Sequence, residues 1–242
     1  NAIALGEEGV AIATLAQDYA FGRDGVSAFA EALEGTGAEI VHQEFVPTDT
    51  TDFTAAAERI FQAMADVEAE RRVLFIIWAG GGNPMGALNA MDPSRFGVEI
   101  ATGGNILPAL VAYRDLPGLE GATYYYYEIP QNEVNDWLVE THFERFGTPP
   151  DFFTAGGMAA GIAIVEAIEA AGTYEDTEAL IAAMEGMTWE TPKGPMTFRP
   201  EDHQAMQSMY HFRIEVQDGV DWGVPVLVRE IEAGDMDVPI RN

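Results

Sequence analysis

Between Val73 and Pro84 the chain reads VLFIIWAGGGNP: five apolar residues, a tryptophan, an alanine, three glycines, an asparagine and a proline. Val73 to Ile77 carries no polar alternation, the pattern of a strand buried on both faces of a parallel sheet. The strand must stop at the glycines. Pro84 suits the first turn of a helix, where its missing N–H costs nothing, so a helix is predicted from Met85 to Met91. Ligands of open α/β sheets sit beyond the carboxyl ends of the strands. The segment Trp78 to Asn83 is therefore predicted to line a small-molecule site.

The flanking sequence repeats the alternation. Val10 to Ala16 reads as a buried strand, Arg23 to Glu34 as a helix ended by Gly35 and Gly37, and Glu39 to Val46 as a strand nearer an edge. Asp52 is placed to cap a helix from Phe53 to Met64. Further strands are predicted at Glu99 to Ala101 and Ala122 to Ile129, with a helix at Pro108 to Tyr113. This succession implies an α/β fold with a doubly wound parallel sheet and right-handed crossovers.

The character changes at Pro130. Helices are predicted over Glu133 to Phe146, Phe152 to Ala171 and Thr177 to Met184, the last with Asp176 near its cap, followed by a hairpin within Thr188 to Pro200 and strands at Met209 to Val216 and Val224 to Ile231. The helix from Phe152 is small-residue on one side and apolar on most others, so it must be buried against something.

Charge limits the partners. Twelve basic against 40 acidic residues leave a net charge of 12 − 40 = −28 in a chain that is 48% hydrophobic. Such a surface repels nucleic acid and anionic membranes. It is read as a solvated acidic coat of the kind suited to salt, where a Debye length of about 3 Å at 1 M screens self-repulsion. Without cysteine there are no disulfides or thiolate metal sites. No uninterrupted apolar run reaches the roughly 18 residues that would span a bilayer, and the first residues carry no signal-peptide pattern, so direct membrane insertion is not expected.

Several side chains suit a binding site. Tyr19, Phe21 and Trp78 stand at strand ends, where they either stack on a ligand or pack locally. Gly80, Gly82, Gly103 and Gly104 either admit a ligand close to backbone N–H groups or simply make tight turns. Of the tyrosines 124 to 127, alternation along a strand would turn Tyr125 and Tyr127 to one face. Asp18 or Glu128 offers a carboxylate to a cationic group. Enzymatic patterns are missing: the glycines from 80 to 86 have the wrong spacing for a dinucleotide loop, there is no P-loop or nucleophile elbow, and the four histidines lack metal-ligand spacing. No catalytic residue, metal or cofactor is expected.

One order of segments remains: Asp18-Tyr19-Ala20-Phe21-Gly22, Pro47-Thr48-Asp49-Thr50-Thr51-Asp52-Phe53 before a helix, a strand ending Trp78-Ala79-Gly80-Gly81-Gly82, Gly121-Ala122-Thr123 before the tyrosines, and Gly194-Pro195-Met196-Thr197-Phe198 with Asp202-His203-Gln204. In that order they resemble the periplasmic substrate-binding proteins of ABC transporters, Leu/Ile/Val-binding type, without most of the N-terminal lobe. The resemblance implies a type I periplasmic-binding fold of two lobes joined by three crossing strands, which closes on a solute without chemistry and delivers it to a membrane permease. Residues 1–128 and 208–242 would form the second lobe and 129–207 the helices and hairpin of the first. Ligand contacts would come from Gln17 to Phe21, from Trp78 and Ala79 to Asn83, and from Thr102 through Gly103 and Gly104 to Asn105. Phe21 replaces a usual tyrosine, Gly82 replaces an aromatic residue, and no acid lies near Gly103 to Asn105, which argues against an ordinary branched-chain amino acid. The implied location is periplasmic or extracellular. Without the sheet of the first lobe, its helices would be exposed and would dimerise or await a longer chain. A nucleotide- or cofactor-binding enzyme domain and the sensing domain of a receptor are the alternatives.

Overall fold

The structure is a computed structural model describing residues 1–80, 82–104 and 106–240. Its strands are β1 (Val10–Gln17), β2 (Glu39–Val46), β3 (Arg71–Ile77), β4 (Val98–Thr102), β5 (Glu120–Thr123), β6 (Thr188–Thr191), β7 (Gly194–Phe198), β8 (Ala205–Met206), β9 (Met209–Glu215) and β10 (Val224–Ile231). Its helices are α1 (Ala2–Leu5), α2 (Ala20–Leu33), α3 (Thr54–Ala65), α4 (Met85–Ala90), α5 (Leu107–Tyr113), α6 (Glu133–Phe146), α7 (Phe152–Ala171) and α8 (Thr177–Met184). The chain forms two compact units: unit 1 is Asn1–Thr123 with His211–Val228, and unit 2 is Tyr124–Tyr210 with the residues from Arg229 on. The lobes expected from the resemblance, 1–128 with 208–242 and 129–207, have bounds that differ from those of these units, which change at 123/124, 210/211 and 228/229.

Unit 1 is the α/β part. Its sheet runs β10-β9-β5-β4-β3-β1-β2, with parallel pairing from β5 through to β2. All eight residues of β1 are buried, as expected of a strand covered on both faces. Val73 and Phe75 point to the face covered by Phe29 and Leu33 of α2 and by α1. Their neighbour Arg72 points the opposite way and donates to the carbonyls of Met64 (3.0 Å) and Val67, so α3 lies on the other face. Helices on both faces make the sheet doubly wound.

Unit 2 packs α6, α7 and α8 with the antiparallel sheet β6-β7-β8. The bounds of the three helices coincide with those read from sequence, because their caps are explicit. Asn132, Asp151 and Asp176 accept from backbone N–H groups of the first turns, and Gly147 and Gly172 close α6 and α7 in the left-handed region. Helix α7 buries only a stripe, Ala155, Ala159, Ala163 and Ala167, one residue per turn. Trp189 of β6 lies against that stripe and donates its indole N–H to the Ala159 carbonyl at 3.0 Å. The rest of the helix is not buried: Phe153, Ile164 and Val165 are all more than half exposed. Although the sequence has no uninterrupted apolar run of membrane length, α7 at 20 residues is long and apolar enough to cross a bilayer by length and composition.

The strand predicted at Ala122 to Ile129 is a correction. Strand β5 stops at Thr123 and the tyrosines turn away. Asn135 of α6 explains why: it accepts from the Tyr125 hydroxyl at 2.7 Å and donates to the carbonyls of Tyr127 and Pro130, folding the run into unit 2. Aromatic strand propensity is decided by such packing. Helix α1 and the 3-10 turn Pro93–Phe96 were not predicted from sequence.

Unit 1 also buries a charge cluster. Glu120 opens β5 and accepts from Arg71 of β3 (3.0 Å) and Arg213 of β9 (2.8 Å). Burial works to raise its pKa, but the hydrogen bonds and charges of Arg213 and Arg71 outweigh it and hold the carboxyl below its ordinary 4.5. A depressed folded pKa contributes stability above the unfolded value and loses it as pH falls through the folded value. Glu120→Gln takes one carboxylate from the half-exposed Arg213 and leaves Arg71 with Glu99, and should cost about 2 kcal/mol at neutral pH through the lost charged hydrogen bonds. It should also flatten the acid-side fall in stability, which urea titrations above and below the ordinary carboxylate pKa would check.

Candidate functional site

Parallel register places three loops at one edge of the unit 1 sheet. Ala16 pairs with Ile77 and Ile76 with Thr102, so the segments that follow β1, β3 and β4 leave the sheet together. They carry Asp18, Tyr19 and Phe21; Trp78, Ala79, Gly80 and Gly82; and Gly103 and Gly104. Asn105 lies outside the described residues. Tyr127 belongs to unit 2, where its ring packs edge-on against Phe143 (6.0 Å) and burial pushes its hydroxyl pKa upward.

The first loop turns sharply into α2. Gly22 sits where a Cβ would stand 2.0 Å from the Gln17 carbonyl oxygen, so no larger residue fits that turn. The turn leaves Tyr19 and Phe21 on the surface, 40% and 48% exposed, with rings stacked at 6.1 Å. Asp18 is turned to its own helix: Arg23 binds it at 2.6 Å and lies over the Phe45 ring at 4.6 Å. The carboxylate that the sequence offered to a cationic ligand thus already has a counter-charge.

The second loop is tied to the first by Gln17, which the family resemblance placed among the ligand contacts and the structure turns inward instead. Gln17 is buried, and its side-chain oxygen accepts from the Ala79 N–H at 3.1 Å. A polar residue ending an otherwise apolar strand was the available signal. Trp78 is half-buried and meets the ring of Phe53 edge-on at 5.5 Å, so the segment 47–53 before α3 supports it. Gly80 and Gly82 have φ of +77° and +68°, a region costly for other residues, and nothing stands within 4 Å of a Cβ at Gly80. That rim is open.

The third loop is closed by comparison. A Cβ at Gly103 would lie 2.6 Å from the Asn1 side chain, so this glycine accommodates packing within unit 1. The Gly104 carbonyl accepts from the Tyr113 hydroxyl at 2.8 Å, and burial pushes that phenol up to about 12, so it stays a donor. A cavity of about 430 Å³ lies at the opposite edge of the sheet, lined by Val98, Glu99 and Leu119 before and at the starts of β4 and β5, and does not involve these loops. The loops form one open wall: two glycine-lined turns, three exposed or half-exposed rings, and a single carboxylate that is already paired. Among the described residues no cluster of His, Asp and Glu is arranged to hold a metal ion.

A family model described as periplasmic binding protein matches residues 2–220. The chain belongs to that family. Its relatives include Leu/Ile/Val-binding protein homolog 6 of Brucella melitensis, 27% identical over 210 residues that make up 82% of this chain and 51% of the relative. The chain therefore spans about half the length of the curated relatives it matches. Among solved structures, an ABC-type branched-chain amino acid transporter protein of Rhodopseudomonas palustris is 59% identical with a TM-score of 0.92, covering 100% of this chain and 65% of that one. A solute-binding protein of an ABC transporter from Rhodopseudomonas palustris, solved with 3,4-dihydroxybenzoic acid, is 27% identical with a TM-score of 0.74, covering 96% and 64%. As a periplasmic binding protein the chain has the family that the order of its segments implied, and its loops at the carboxyl edge of the sheet are where an open α/β fold receives ligands.

Gln17 is the joint between two of those loops. Gln17→Met keeps the side-chain length but removes the acceptor for Ala79, and should cost about 1 kcal/mol by leaving that N–H unpaired. Amide hydrogen exchange at Ala79 should accelerate while exchange in the centre of β1 does not; unchanged exchange at Ala79 would show that the tie is not maintained.

Proposed function

We propose that this chain is the larger part of an extracytoplasmic solute-binding protein that captures a small organic acid and presents it to an ABC permease. Unit 1 is the second ligand-binding lobe, and unit 2 supplies the helices and hairpin of the first. Closure of two lobes on the solute is the working step, and no bond is made or broken. The observation that carries the reading is the wall at the carboxyl edge of β1, β3 and β4, which is aromatic, rich in glycine and short of free charge.

The same wall bears on the solute. Tyr19, Phe21 and Trp78 provide flat apolar area, with hydroxyl and indole N–H groups at its margin. Helix α2 begins without a side-chain cap, so its first N–H groups and the positive end of its dipole lie beside these rings. An α-ammonium group would find no unpaired carboxylate in the three loops, while an anionic ring compound would find stacking surface and donors. A relative that was solved with a dihydroxybenzoate supports the same class. The reading is therefore an aromatic carboxylate in preference to a branched-chain amino acid.

Isothermal titration of the full-length protein with benzoate, 4-hydroxybenzoate, 3,4-dihydroxybenzoate and leucine tests this. Saturable one-to-one binding of a benzoate is expected, with Trp78→Ala about tenfold weaker, in line with the loss of one aromatic contact. Leucine binding with no benzoate binding would overturn the solute class, and tight binding and turnover of a nicotinamide or flavin nucleotide would overturn the function.

Unit 2 generates a second expectation. Trp137, Phe146, Phe153, Ile164 and Val165 of α6 and α7 are each more than half exposed. At about 25 cal/mol per Å² of apolar area, such a face gains from any cover. The 242-residue chain alone is expected to self-associate in light scattering, and a longer protein that includes the first-lobe sheet is expected to be monomeric. A monodisperse monomer of the short chain would count against this role for the helices.

A further inference from the structure

Lys193 is the only lysine in the sequence; the other 11 of the 12 basic residues are arginines. In a chain with so acidic a surface a lone lysine would be expected in water, yet Lys193 is only 7% exposed. It stands in the turn between β6 and β7, a turn fixed on both sides. The Thr191 hydroxyl accepts from the Lys193 N–H and donates to the Gly194 carbonyl, and the Pro192 carbonyl accepts from Asn132 at the start of α6.

The ammonium is enclosed. It lies 4.0 Å above the ring of Tyr124 and 5.4 Å from that of Tyr210, and it donates to the Gln207 side-chain oxygen at 2.7 Å and to the Ser208 carbonyl at 2.5 Å. Three donors meet two oxygens and a π face, which suits a cation: the lone pair of a neutral amine would face a ring or an acceptor. Beyond these partners, Glu232 accepts from the Ser208 hydroxyl at 3.1 Å, next to the carbonyl that the ammonium holds.

The origin of these groups is the informative point. The chain passes between the two units at 123/124, at 210/211 and at 228/229. Tyr124 follows the first passage directly, Gln207, Ser208 and Tyr210 lead into the second, and Glu230 follows the third. One cation is therefore held directly by groups beside the first two passages, and the third is joined to it through the hydrogen bond between Ser208 and Glu232.

We propose that Lys193 is a positioning residue, a clamp whose ammonium holds the three connecting segments in one arrangement and so reduces the ordering that solute capture requires. The proposal rests on the two-lobed solute-binding reading. Its energetic signature follows from burial, which pulls the lysine pKa down from 10.5 to about 7, with Glu230 opposing. The unfolded chain then binds the extra proton between those values, so this group's contribution to stability rises with pH across that window. Tyr124, Tyr210, Glu230 and Glu232 are the other titratable groups around it. A clamp that costs stability while fixing geometry affects binding more than folding, because a pre-ordered connection spares the ligand that cost.

The test uses the full-length protein labelled with [ε-13C]lysine, with Lys193→Met and Lys193→Arg. The resonance that Lys193→Met removes is expected to be ring-shifted and to titrate near neutrality. Lys193→Met should weaken binding of 3,4-dihydroxybenzoate at least fivefold and increase the radius of gyration of the free protein, and Lys193→Arg should restore at least half of the lost affinity. Affinity within twofold of wild type together with an unchanged radius would overturn the clamp even if the variant melts earlier, since a merely structural lysine would behave so. If Lys193→Met does not fold, Tyr124→Leu removes the nearer ring and is judged by the same thresholds. If the wild-type protein binds none of the panel, the solute-binding reading fails, while the resonance and the free-state radius still decide whether the clamp exists.

Discussion

Parallel pairing of β3 with β1 on one side and β4 on the other is the constraint from which the site follows. A strand enclosed in this way has no wet face, so Val73 to Ile76 must all be apolar, and the first residue that need not be is the one leaving the sheet. The in-step ends of three such strands bring their loops to one edge without any interaction between the loops themselves. Gln17 adds a polar tie between the first two of them. Because the sheet is rigid, the glycines at the rim can hold left-handed conformations without endangering the fold.

Electrostatics are organised around scarcity. With 40 acids and 12 bases, most carboxylates must face water or salt, and several of the few cations meet carboxylates that are buried. Arg71 and Arg213 meet the buried Glu120, Arg59 meets the buried Glu44, and Arg199 meets Asp202 while also donating to the Val238 carbonyl. Each pair has an arginine, whose planar fork satisfies two oxygens at once. Lys193 departs from that pattern, since its nearest partners are rings and neutral oxygens. An ammonium fits a ring face and a carbonyl as a compact point charge, where a guanidinium would need a flat slot.

Legibility in the sequence tracked how local the cause was. Helices α6, α7 and α8 could be bounded to the residue because Asn132, Asp151 and Asp176 and the glycines after α6 and α7 are neighbours in the chain. Asp52 was assigned to the cap of α3 and does accept from Thr54, though the helix begins one residue later than read. The tyrosines after Thr123 were misread because the residue that bends them, Asn135, lies in the next helix and carries no mark of that duty. The loops of the site were visible as aromatic residues and glycines after apolar runs. Their internal differences were not: Asp18 is occupied by Arg23 through a turn whose direction depends on Gly22, and Gly103 is filled by Asn1 from more than a hundred residues away.

The aromatic faces of the two units differ in what already lies against them, and the proposed solute wall rests on that difference. Tyr124 and Tyr210 already have an ammonium against their π clouds, and Phe45 has a guanidinium, so those faces have their electrostatic partner. Tyr19 and Phe21 stack on one another at the surface with no cation over either ring among the described residues, and Trp78 is propped edge-on by Phe53, which steadies the indole through its side. A ring-bearing anion placed there would meet flat apolar area and the uncapped start of α2. A cationic solute would compete with Arg23 for the one carboxylate available. The preference proposed between those two solutes therefore rests on a charge that unit 1 has already paired internally.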